Sequence, residues 1–127
     1  MTSPVTSAQL ARAVAQAARG VAGVADLDAG SVGEFATYGD GGRVPGVRAR
    51  APREGGAARV ALRLVARFGY PLPEVADQVR ARVSEVVGRL TGVADVPIDL
   101  HIVDVRSDDE EPAALPADTS PASPARP

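Results

Sequence analysis

Apolar residues recur along this chain with two different periods. From residue 6 onward, Leu10, Val14, Ala17, Ala18 and Val21 fall on one side at helical spacing, and Arg12, Gln16 and Arg19 fall opposite. Thr6 is a good N-cap, and Gln9 stands three positions later, as a capping box requires. Val5 and Leu10 occupy the two positions of a hydrophobic staple, and Gly20 supplies a stop. A helix is therefore expected over residues 6–19. Residues 21–28 read as a strand carried by Val24 and Leu27 and weakened by Gly23. Residues 29–46 are rich in glycine and turn signals, with room for a short strand at 34–38.

The period then changes to two. Residues 47–51 alternate Val, Arg, Ala, Arg, Ala. In residues 58–68, Val60, Leu62, Leu64, Ala66 and Phe68 share one face, while Arg59, Arg63 and Arg67 share the other. Pro52-Arg53-Glu54-Gly55-Gly56 between them is a turn, so the two runs form a hairpin. A second helix is expected over 72–90. Pro73 lies in its first turn, Glu74 and Asp77 near its start and Arg89 near its end suit its dipole, and Thr91-Gly92 stops it. Its apolar arc holds Val75, Val79, Val83, Val86, Val87 and Leu90. The last strand, 95–105, turns Val96, Ile98, Leu100 and Ile102 inward and Pro97, Asp99, His101 and Val103 outward.

These elements predict an α+β fold, a two-layer sandwich in which two helices pack on one face of a small mixed or antiparallel sheet. The domain spans residues 6–106, after a flexible stretch at 1–5. Polar alternation on the strands leaves the other sheet face to water or to a partner. Residues 107–127 start with Asp108-Asp109-Glu110-Glu111, continue in Pro, Ala, Ser and Thr, and are expected to be a disordered acidic tail.

Charge sharpens this division. Residues 1–106 hold thirteen arginines against eleven acids, a net of +2, and residues 107–127 hold one against five, a net of −4, in a chain of net −2. There is no lysine and no cysteine. Disulfides, thiolate metal sites, Schiff bases and P-loop lysines are thereby excluded. With only two Phe, two Tyr and no Trp, the core must be built from Val, Leu, Ile and Ala. The start of the chain lacks the basic and apolar regions of a secretion signal, and no run approaches the roughly 18 apolar residues of a membrane span. Membrane association would then be peripheral or through a partner.

Candidate chemistry is sparse. His101 is the single histidine, beside Asp99 on the outward face of the last strand. It reads as a surface residue or as a pH-sensitive contact. No Gly-x-Ser-x-Gly elbow accompanies it, and one histidine cannot make a His-rich metal site. The GDGGRVPG run from Gly39 lacks the spacing of a phosphate loop and is a flexible turn. The acidic run at 108–111 is a solubilising boundary or a docking element for a basic partner. The arginines offer more. Arg59, Arg63 and Arg67 stand about 13 Å apart from one to the next on a strand. Arg48 and Arg50 join them across the hairpin. With Asp99 and His101 they form an interaction face for phosphates, lipid head groups or acidic protein. The alternative is a solvated sheet face partly balanced by Asp99 and Glu54. Nucleic acid is a poorer fit, because aromatic stacking partners are missing from this face.

Several stretches together resemble a known family. Val21-Ala22-Gly23-Val24 is similar to its opening "PGV" strand, with Ala22 where proline is usual, and Gly46-Val47-Arg48 is similar to its "GV-x-V" strand. The run FGYPLPEVA from Phe68 to Ala76 resembles its "YG-x-x-I-P-E-V-A" helix entry. Leu90-Thr91-Gly92-Val93 and Ile98-Asp99-Leu100-His101-Ile102 resemble its "MTGL … V-N-V-H-V" ending. The family is that of the alkaline shock proteins of the envelope stress response, and the likeness covers about residues 8–106, with residues 29–57 departing from the pattern. The resemblance implies a role in cell-envelope homeostasis in a Gram-positive bacterium, and a cytoplasmic protein held at the membrane by a membrane-anchored protein partner. It implies no catalytic residue and no cofactor. An uncovered sheet edge would also allow homo-oligomers.

Overall fold

The computed structural model describes residues 5–39, 41–52 and 57–107. Its elements run α1 (Ser7–Arg19), β1 (Val24–Leu27), β2 (Ala36–Gly39), β3 (Gly42–Pro45), β4 (Val47–Arg50), β5 (Arg59–Arg67), α2 (Leu72–Thr91) and β6 (Ile98–Arg106). The expected acidic tail, including Asp108 to Glu111, lies outside the described residues, as do residues 1–4 and Glu54.

Helix α1 starts where its sequence requires. The Thr6 side chain accepts from the Gln9 N–H at 3.0 Å, and the Thr6 N–H donates to the Gln9 side-chain oxygen at 2.9 Å. Helix α2 begins after Pro71 and ends at Gly92, which takes the left-handed conformation (φ 72°). Its buried stripe is narrower than its apolar arc: Val75, Val79, Val83 and Val87 are buried, while Leu90 is exposed. Leu90 shares the azimuth of Val83, so the core ends before the helix does.

Strand β5 organises the sheet. β6 lies parallel along one side of it, and β1 and β4 lie end to end, antiparallel, along the other. The sheet is therefore mixed, and α2 is the crossover that a parallel β5–β6 pair needs. Arg63 marks the junction of the shorter strands: its carbonyl accepts from the Asp28 N–H at 2.9 Å, and its N–H donates to the Gly46 carbonyl at 3.1 Å. Val60, Leu62, Leu64 and Ala66 of β5 are buried, and the first three join Leu10 and Val14 of α1 and Val79 and Val83 of α2 in one apolar core. That is the two-layer α+β arrangement, with both helices on one face.

Two readings are corrected. Phe68 does not share the core face of β5; it is 75 % exposed. The strand ends at Arg67, the Phe68 N–H caps the Arg106 carbonyl at 2.8 Å, and the chain turns at Gly69 (φ 98°). Residues 29–46 hold more than one short strand. β2 and β3 form a separate antiparallel hairpin with Gly39 opposite Gly42, so residues 36–39 and 42–45 are both strands. At Gly42 (φ 105°) a side chain would be strained, which explains glycine there.

Thr37 ties this hairpin to the main sheet. Its buried hydroxyl accepts from the Ala49 N–H at 3.0 Å and donates to the Val47 carbonyl at 2.7 Å. One side chain thus does on the outer edge of β4 what a neighbouring strand would do. Thr37→Val keeps the shape and leaves both backbone groups unsatisfied. The expected cost is about 1–3 kcal/mol, read as a lower urea midpoint with an unchanged m-value.

Candidate functional site

The strand register fixes which outward side chains meet. Arg50 stands directly opposite Arg59, and Arg48 opposite Ala61, across β4 and β5. On the other side of β5, Ala61 faces Asp99, Arg63 faces His101, and Arg67 faces Arg106. Arg48, Arg50, Arg59, Arg63, Arg67, Asp99 and His101 therefore share the sheet face opposite the helices. The register of β6 shifts at Leu64/Val65, so Val103 is the extra residue in that strand.

The arginines on this face are not equivalent. Midway along β5 an acid matches one of them. Arg63 donates to the Asp28 carboxylate through Nε at 3.3 Å and Nη2 at 3.1 Å, with both side chains about one-third exposed. Asp26 lies between Arg19 at 3.8 Å and Arg106 at 4.0 Å. At the start of β5 the balance differs. Arg59 has only a long contact to Asp99, at 4.0 Å, and both side chains are 64 % exposed, so water screens the pair and it contributes little. Arg48 donates to the neutral Glu34 carbonyl at 3.2 Å. Among the described residues, three arginines thus face one aspartate, a net of +2.

Phe35 also belongs to this face, although it precedes β2 in sequence. The Arg48 guanidinium lies 4.6 Å from its ring centroid and that of Arg63 5.6 Å. An aromatic ring is therefore present where none is expected from the strands, and two arginines already use it. Only its neighbours in the folded chain reveal this, since Phe35 sits in the segment with the weakest periodicity.

The unmatched arginines border a cleft of about 540 Å³, lined among others by Ser7, Tyr38, Arg48, Arg50, Arg59 and Asp99. The small Ala61, flanked by Arg48 and Asp99, forms part of its wall. Among the described residues no three His, Asp or Glu side chains gather as a metal site would need, and no helix is long and apolar enough to cross a membrane. His101 is exposed and stands apart from any carboxylate cluster.

A comparison with curated proteins and one with solved structures each return no match. A family model does match, over residues 4–107. The chain belongs to the alkaline shock protein 23 family, whose function is described as cell envelope-related.

Proposed function

We propose that this chain is a non-enzymatic adaptor of the envelope stress response. It binds a membrane-anchored protein at the cytoplasmic face of the membrane through the open face of its sheet. The observation that supports this reading is the one-sided covering of β5. Both helices pack on the face of Leu62 and Leu64, and the opposite face, with Arg48, Arg50, Arg59, Arg63, Arg67, Asp99 and His101, is charged and carries no helix, with only the Phe35 ring set against Arg48 and Arg63. A sheet with one face buried and one charged leaves the charged face free to meet water or a partner. The second reading, a phosphate or nucleic-acid module on the same arginines, draws less support. The one ring near these arginines, Phe35, already packs against Arg48 and Arg63, and strands β4, β5 and β6 carry no other aromatic on this face.

A fluorescent fusion of the full chain tests the adaptor reading. Under envelope stress its signal is expected at the cell periphery, and joint replacement of Arg48, Arg50 and Arg59 by Gln is expected to disperse it. A diffuse signal from the unaltered chain rules the reading out.

A further inference from the structure

We infer that the Arg48/Arg50/Arg59 cleft is where this face takes its partner, and that the occupant is an extended acidic peptide segment with carboxylates at alternate positions. The inference rests on the adaptor reading and names the chemistry of its partner.

Like charges directly opposite one another on paired strands disfavour the fold. Arg50 and Arg59 are such a pair. Asp99 offsets only Arg59, at 4.0 Å and well exposed, and Arg50 has no ion-pair or hydrogen-bond partner among the described residues. The start of the face therefore holds positive charge that an anion would relieve. Arg63, two hydrogen bonds deep in its contact with Asp28, is already satisfied.

Spacing selects the anion. Arg48 and Arg50 are two residues apart on one strand face, so their Cα atoms are separated by about 6.6 Å. Residues i and i+2 of an extended peptide have that same spacing and point the same way. Two carboxylates at i and i+2 can each meet one guanidinium fork, the geometry arginine suits best. Two peptide carboxylates can serve Arg48 and Arg50 separately, whereas a single phosphate has to draw both side chains to one point. A lipid surface is a poorer match too. Insertion needs apolar side chains next to the basic ones, but the exposed Phe68, Tyr70 and Leu72 follow the far end of β5, and among the described residues Tyr38 is the one large exposed apolar side chain at the cleft.

The test is a titration of the full chain with a dye-labelled peptide carrying Glu at alternate positions, followed by fluorescence anisotropy. A Gln analogue, inorganic phosphate and phosphatidylglycerol vesicles serve as the other arms. The Glu peptide is expected to bind, to weaken as salt rises, and to lose about tenfold or more in affinity (about 1.4 kcal/mol or more) in Arg50→Gln/Arg59→Gln. Arg89→Gln, exposed on α2 and away from this face, is expected to bind like the unaltered chain. Far-UV circular dichroism checks that each variant is folded, and Arg50→Lys, which keeps the charge, guards against a purely structural loss. Equal binding by the double variant, binding of the Gln analogue, or preference for phosphate or vesicles overturns the inference. If the fusion protein reaches the envelope but the peptide does not bind, this inference fails and the adaptor reading stands. If the peptide binds but the fusion stays diffuse, the adaptor reading fails instead.

Discussion

Leu62→Ala is expected to lower the free energy of unfolding by about 3–5 kcal/mol. Leu62 has no exposed surface and lies on the central strand. In register it stands between Val47 of β4 and Leu100 of β6, and it belongs to the core that both helices cover. Strands on both sides hold its backbone, so the surroundings cannot close over the missing atoms and a cavity remains. A domain of this size has only about 5–15 kcal/mol in total, so the variant should be close to unfolding at moderate temperature. Urea unfolding followed by circular dichroism measures the difference. A loss below about 1 kcal/mol would mean that Leu62 is not in a packed core.

Gly46→Ala is expected to cost about 2–4 kcal/mol. Gly46 has φ 82°, which an L side chain rarely adopts, and a Cβ there would lie 2.5 Å from the Leu27 Cβ and 3.0 Å from the Asp28 N. The backbone around it is also fully used: its N–H donates to the Phe35 carbonyl at 2.8 Å and its carbonyl accepts from Arg63 at 3.1 Å. The end of β1 and the start of β4 can abut along β5 only because no side chain stands between them. Gly42 provides the control. Its φ is 105°, but no atom lies within 4 Å of an added Cβ. Gly42→Ala should therefore show the strain without the collision, and the difference between the two variants in the same urea titration isolates the close approach. Equal losses at both positions would remove the argument.

Much of this architecture is local and so could be read from the chain. The Thr6–Gln9 capping box depends on residues three apart, and the glycine that ends α2 on the residue just after it. The alternation of Val60, Leu62 and Leu64 with Arg59 and Arg63 fixes two sheet faces whatever the strand pairs with. The same alternation places Arg48 and Arg50 on the arginine side, once a hairpin is assumed. Phe68 escaped this logic because alternation does not say where a strand stops. The stop comes from the Arg106 carbonyl and the turn at Gly69, the first of which is distant in sequence.

The sequence by itself determined the two helices with their ends, the face of β5 that is buried, and the sparseness of reactive groups. Short-range hydrogen bonds and periodic burial decide these, and both are written in neighbouring residues. Tertiary structure alone decided that β1 and β4 share one side of β5, that β6 lies parallel on the other, and that residues 36–45 make a second sheet. It also set Arg63, matched by Asp28, apart from Arg48, Arg50 and Arg59, which are left around an open cleft. An ion pair depends on which charges come within a few ångströms. Register sets that distance between residues tens of positions apart, and no local pattern carries it.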